Sequence, residues 1–188
     1  MLKISLIGIG SIVLITSALF SFQAGVFDSI HFFEEMRGPY FLTYKEYNGS
    51  YTAVGYNIKS VYEKVKKEKK SDIIRGGFAV FYDNPQNSRS NNLRSICGVI
   101  TDTLITIEPP YKSAVYKKSY CIVGKYPLRS LFSYMSGLYK FYPALEKYTK
   151  AKKVIVTGPV MELIDTKSKV IIFIVSVNTP SSVPLFAK

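Results

Sequence analysis

Glu162 lies in an apolar run, with Val160 and Met161 before it and Leu163 and Ile164 after it. A carboxylate in such a strand is costly to bury without a partner. Two arrangements avoid that cost. The side chain turns outward to solvent or to a nearby lysine, or it faces a pocket of aromatic rings. In a pocket walled by tyrosine and phenylalanine it would bind a cation or take part in acid/base work. The composition can supply such walls, with fifteen Tyr, twelve Phe and no Trp in 188 residues.

Other chemistry is sparse. The one histidine, His31, excludes a Cys/His zinc constellation and a triad built on histidine. There is no nucleophile–base spacing, metal cluster or phosphate loop, so the chain reads as a binding protein rather than an enzyme, with no cofactor. Haem held through histidine is disfavoured, and Tyr or Met ligation stays open. Cys97 and Cys121 each sit in an apolar strand-like run, which predicts buried free thiols. The net charge of +12, from 25 basic and 13 acidic residues, admits an anionic partner. Lysines crowd two predicted helix ends (Lys64, Lys66, Lys67, Lys69 and Lys70; then Lys147, Lys150, Lys152 and Lys153), where the carbonyl dipole favours cations. No recognised nucleic-acid module appears, so nucleic acid is the least favoured partner.

The elements that would position Glu162 follow from periodicity. Phe78, Ala79, Val80, Phe81 and Tyr82 form an unbroken strand-forming run, closed by an Asp83-Asn84-Pro85 turn signal. Neither face of such a strand suits water, which places it centrally in a sheet covered on both sides. A strand over 40–47 precedes it. Val54, Ile58, Val61 and Val65 then recur at spacings of four, three and four, the stripe of a helix over 54–69. Strands are expected at 93–101, 111–117 and 119–126, with a polar loop at 86–92. Pro127 takes the first-turn position of a second helix, along which Leu128, Leu131, Met135, Leu138, Tyr142 and Leu145 form the stripe; Pro143 is expected to kink it. Strands at 160–164 and 169–177 close the domain as a hairpin. The order is a tandem β-α-β-β duplication of α+β class, one antiparallel sheet with two helices packed on it.

Ahead of this domain, the run from Ile4 to Phe22 carries no charge. At 1.5 Å per residue it approaches the ~30 Å of a hydrocarbon core, predicting an N-terminal transmembrane helix. A signal peptide cleaved near Ala18 is the rival. The expected layout is an anchor at 1–25, a juxtamembrane linker at 26–39, the domain at 40–177 and a loose tail at 178–188. Asn48, Gly49 and Ser50 form a glycosylation sequon, usable only if the domain is luminal.

The element order resembles that of GyrI-like (gyrase-inhibitor-like) small-molecule-binding domains, which share their general fold with SOUL haem-binding proteins. The run from Phe78 to Pro85 followed by Cys97, Gly98, Val99 and Ile100 resembles a strand-loop-strand of the branch that holds a testis-expressed ER-phagy receptor. Tyr126-Pro127 leading to Tyr142, Pro143, Ala144, Leu145, Glu146, Lys147 and Tyr148 is similar to that branch's long helix, and Met161 to Ile164 to its late strand. The resemblance implies a single-pass protein of the endoplasmic reticulum with a cytosolic domain, binding a small ligand or a protein partner and linked to ER-phagy. The acidic tail that carries the autophagy-protein motif in that branch is missing after 178. The alternative is a secreted or luminal ligand-binding or hydrolytic domain of the same fold. GyrI-like domains commonly set an acid and aromatics in a cleft between their halves. The resemblance makes Glu162 that acid, with Tyr44, Tyr82 and Tyr126 as its aromatic walls; each tyrosine also fits a core role with a satisfied hydroxyl.

Overall fold

The computed structural model describes residues 2–69, 71–83 and 93–178, with side chains from residue 8 onward. The expected turn at Asn84-Pro85, the loop at 86–92 and the tail from 179 lie outside the described residues. Eight strands form one antiparallel sheet: β1 (His31–Arg37), β2 (Tyr40–Asn48), β3 (Ile74–Phe81), β4 (Arg94–Thr101), β5 (Lys112–Tyr116), β6 (Ser119–Pro127), β7 (Val156–Asp165) and β8 (Val170–Val177). Among the described residues three α-helices accompany it: α1 (Leu2–Gln23), α2 (Val54–Lys69) and α3 (Leu131–Lys152).

The sheet order β1-β6-β8-β7-β3-β4-β2-β5 explains the duplication. One unit is β2-α2-β3-β4 and the other β6-α3-β7-β8. In each, the second strand lies innermost and the first outermost, so the units meet at the β3–β7 ladder, Gly77↔Ile164 to Phe81↔Val160. β3 is central as expected. Its Phe78 and Val80 join the core on one face, with Leu42, Val123, Met161 and Ile174. Ala79 and Phe81 join the helix-facing core with Tyr51, Val54 and Cys97. α2 lays Val54, Asn57, Val61 and Val65 on the sheet. α3 buries Leu138, Phe141 and Leu145 against Ile122, Ile171 and Phe173, with Phe141 and Phe173 stacked at 4.2 Å. Both cysteines are free and buried.

Two element boundaries differ from expectation. β1 occupies the stretch read as a linker, running along β6 from His31↔Lys125 to Arg37↔Ser119. Pro127 ends β6 instead of opening α3. The helix starts four residues later, at Leu131, after the N-cap Ser130, whose side chain accepts from the Ser133 backbone while the Ser133 hydroxyl accepts from Ser130 N in return. That capping box fixes the helix start more strongly than a proline preference does.

The N-terminal transmembrane helix of the sequence reading is corrected. The run from Ile4 to Phe22 is helical, but among the described residues no helix is long and apolar enough to cross a membrane. The C-terminal end of α1 is also built into the domain. Ser130 Oγ donates to Gln23 O at 2.9 Å and Arg129 Nη1 to Phe22 O at 3.3 Å, capping carbonyls that the helix leaves open. Lys140 Nζ donates to the carbonyls of Gly25, Val26 and Asp28 at 2.7–2.8 Å, and Arg129 pairs with Asp28. The membrane as a partner through this run, and the single-pass placement in the endoplasmic reticulum that rested on it, fall with the span.

Candidate functional site

Strand register brings the candidate site together. Glu162 on β7 pairs with Ala79 on β3 and Phe173 on β8, and Ala79 pairs with Cys97 on β4. Cys97, Ala79, Glu162 and Phe173 thus form one row across four strands. Alternation puts the row on the helix-facing side, since Met161 and Leu163 belong to the opposite core. Ala79 contributes only a methyl group, leaving a low point between the thiol and the carboxylate.

Glu162 is fully buried. The Tyr134 hydroxyl, from α3, donates to its Oε2 at 3.1 Å. Its Oε1 has no hydrogen-bond partner among the described residues. Burial pushes the carboxyl up to about 8, and the Tyr134 hydrogen bond offsets only part of that. The site is therefore an uncharged acid at neutral pH, carrying one unsatisfied oxygen. The groups around it move the same way. Tyr134 and Tyr142 are held far above the usual phenol range by burial first and by the Glu162 charge second. Tyr51 is raised to about 12, chiefly by burial. Cys97 is raised by burial, with Glu162 adding to the effect.

Two elements supply the rings. Tyr134 and Tyr142 lie two turns apart on α3. Tyr51 sits in the short 3₁₀ turn at Tyr51–Ala53 ahead of α2, its ring 4.3 Å from Phe81 and its hydroxyl donating to Asp83 O at 2.7 Å. A cavity of about 120 Å³ opens where this turn faces α3, lined by Tyr51, Leu93, Met135, Leu138 and Tyr139. Glu162 is not among its lining residues.

Glu34 on β1 is the contrasting case. Tyr120 donates to its Oε2 at 2.7 Å and Tyr148 to its Oε1 at 3.0 Å. With both oxygens bonded, its carboxyl is held below the usual range, first by Tyr120 and then by Tyr148. Glu34 is a satisfied structural anion, whereas Glu162 is not satisfied.

The residues named from sequence divide between the two faces. Glu162 and Tyr126 share the helix-facing side. Tyr126 is fully buried, and its hydroxyl donates to Gly25 O at 2.6 Å, tying it to the segment after α1. Tyr44 packs in the core on the other face. Tyr82 is half exposed, and its hydroxyl is raised first by burial and then by Tyr44. Tyr51, Tyr134 and Tyr142 were not singled out as site residues. The available signal was Tyr134, Leu138 and Tyr142 recurring at every fourth residue, a mixed polar and apolar row on one helix face. Among the described residues, no group of three or more His, Cys, Asp and Glu could hold a metal ion.

Two β-α-β-β units share one antiparallel sheet, with helices on one face and a buried acid between the halves, and solved structures share this α+β fold. The EcmrR C-terminal domain is similar in structure at a TM-score of 0.65 and 10% identity, over 80% of this chain and 99% of that one. EcmrR in a complex with DNA matches at 0.64 and 10% identity, over 95% of this chain and 70% of that one. SAV2435 bound to tetraphenylphosphonium matches at 0.51 and 10% identity, over 79% and 94% of the two chains. No protein-family model matches the chain, and no curated protein matches it in sequence.

These likenesses establish the fold and correct three further expectations. The ER-phagy receptor branch, with its autophagy partners and its place on the endoplasmic reticulum, has no support among them. The membrane-anchored function drawn from that branch is withdrawn, since among the described residues no helix is long and apolar enough to cross a membrane. The ranking of nucleic acid as the least favoured partner is withdrawn too, because one protein of this fold is seen on DNA.

Proposed function

We propose that this chain is an effector-binding domain, not an enzyme, and that it takes an apolar, charge-diffuse cation between α2 and α3 with Glu162 as the counter-charge. One observation carries the reading: a fully buried carboxylate oxygen without a hydrogen-bond partner among the described residues. Such a group is costly, and the cost is recovered when a ligand supplies positive charge beside it. Tyr51, Tyr134 and Tyr142 present ring faces and edges to a delocalised cation. The tetraphenylphosphonium seen in SAV2435, a protein of this fold, is a cation of that kind. Binding is favoured over turnover because the neighbouring phenols and the Cys97 thiol are all displaced toward their neutral forms, which makes them poor nucleophiles.

Isothermal titration with tetraphenylphosphonium tests the reading. The wild-type chain is expected to bind one equivalent, and Glu162→Gln to weaken binding about tenfold or more. Equal affinity for the two proteins would remove Glu162 from the site.

A further inference from the structure

The β3–β7 ladder that joins the two halves stops at Gly77↔Ile164. Beyond it the strands part. Ile74 and Gly76 continue on β4 alone, with a shift in register between them, and Asp165 continues on β8 alone. The fork holds a cavity of about 680 Å³. That volume lies within the range of small-molecule sites. Glu162 is not among its lining residues.

Glycines keep this space open. A Cβ on Gly77 would meet Ile58 Cγ2 at 2.9 Å, so packing accounts for that residue. Neither Gly76 nor Gly55 has such a packing reason, and Gly76 sits at the register shift of β3 on β4. A Cβ on Gly76 would find its nearest neighbour at 3.6 Å, one on Gly55 would find nothing within 4 Å, and neither residue has a positive φ. Glycine inside a strand or a helix costs stability, and in a strand it marks a bulge, as the register shift at Gly76 does, or a close approach by a ligand or another backbone. Both residues line the fork cavity.

The lining has a definite polarity. Ile58, Val99, Leu163, Ile164 and Ile172 make it apolar, while Lys59 on α2, Arg75 on β3 and Lys167 in the β7–β8 turn bring three positive charges. Asp165 is the one acid in the lining, and its Oδ1 accepts from the backbone of Lys167 and Ser168, which holds the turn. Arg75 pairs with Asp102, whereas Lys59 and Lys167 enter no salt bridge among the described residues; Lys167 acts on Asp165 only through space, which leaves both ammonium groups able to meet a ligand.

We infer that the fork is a second binding site, for an amphipathic anion: a hydrocarbon chain lying over Ile58, Val99 and Ile164 with a carboxylate between Lys59 and Lys167. Its charge preference is opposite to that of the Glu162 site and it shares none of the site residues named there.

The test is calorimetric titration of the full chain with dodecanoate below its micellar concentration, with dodecyltrimethylammonium as the matched cation. Dodecanoate is expected to bind one equivalent and the cationic amphiphile to bind at least tenfold more weakly at the fork. Gly76→Phe fills the cavity and should abolish dodecanoate binding. Gly55→Leu does so from the helix side, at a position where added side-chain bulk meets open space and favours the helix, so it remains informative if the strand variant does not fold. Lys59→Glu with Lys167→Glu should weaken binding about tenfold or more. Glu162→Gln should leave dodecanoate affinity unchanged, which separates this inference from the cation reading. Absence of dodecanoate binding, or binding unchanged in the glycine and lysine variants, would overturn it.

Discussion

Glu162 and Glu34 show how far tyrosine hydroxyls decide the state of a carboxylate. Glu34 receives two and stays ionised; Glu162 receives one, is fully buried and keeps its proton at neutral pH. The consequence for stability has a definite sign. Glu162 titrates at about 8 in the fold against 4.5 for an ordinary glutamate, so between those values the folded state holds a proton that the unfolded chain releases. Its contribution is fully present below about pH 4.5 and is lost as pH rises to about 8, at roughly 1.4 kcal/mol per unit. Denaturant unfolding between about pH 5 and pH 8 should therefore show wild-type stability falling, and Glu162→Gln should flatten that fall. Asp28 and Glu34 act at the other end. Their carboxyls are lowered, by Arg129 and by Tyr120 respectively, so their contributions hold above the unfolded values and are lost as pH falls below them. Tyr134→Phe removes the single hydroxyl on Glu162. It should raise the Glu162 pKa further and cost about 1–3 kcal/mol in unfolding measurements; an unchanged carboxyl titration by NMR would contradict the assigned hydrogen bond.

Helix α3 links the site to the N-terminal segment: Tyr134 reaches Glu162, while Ser130 and Lys140 hold the end of α1 and the turn after it. Its packing makes two predictions in opposite directions. Gly137 lies against the buried Tyr126 ring, where a Cβ would come within 2.8 Å of Cδ1. Gly137→Ala should destabilise by about 1–3 kcal/mol, although alanine favours a helix, because Tyr126 is fully buried and fixed to Gly25. Pro143 sits inside α3 on its exposed side, so Pro143→Ala restores a backbone donor without disturbing the core and should raise the thermal midpoint. At this scale the sequence was uneven. The 4-3-4 spacing of Val54, Ile58, Val61 and Val65 gave α2 its observed bounds, because a solvated helix with one apolar stripe is a local pattern. β1 was missed because its two neighbouring phenylalanines go to opposite faces and its pairing is with β6, far along the chain. The site tyrosines on α3 were hidden for a related reason: Tyr142 reads as one more apolar stripe residue, and only the helix-on-sheet geometry turns it toward Glu162.

At the level of the molecule, the duplication was legible in element order, while the joining of the halves through β3 and β7 and the fork beyond Gly77 were not, since they depend on where two ladders diverge. The same is true of the Cys97–Ala79–Glu162 row, whose members come from three strands with no spacing in common. That joined architecture gives the two proposed sites opposite charge preferences, an acid under the helices and lysines at the fork. The central claim is that Glu162 is an uncharged buried acid which ionises to meet a cation. The most direct test is tetraphenylphosphonium titration at about pH 6.5 in two buffers of different ionisation enthalpy, which reads protons exchanged on binding. Release of about one proton per ligand by the wild-type chain, and of none by Glu162→Gln, is the predicted result. Binding by the wild-type chain without proton release would contradict the claim.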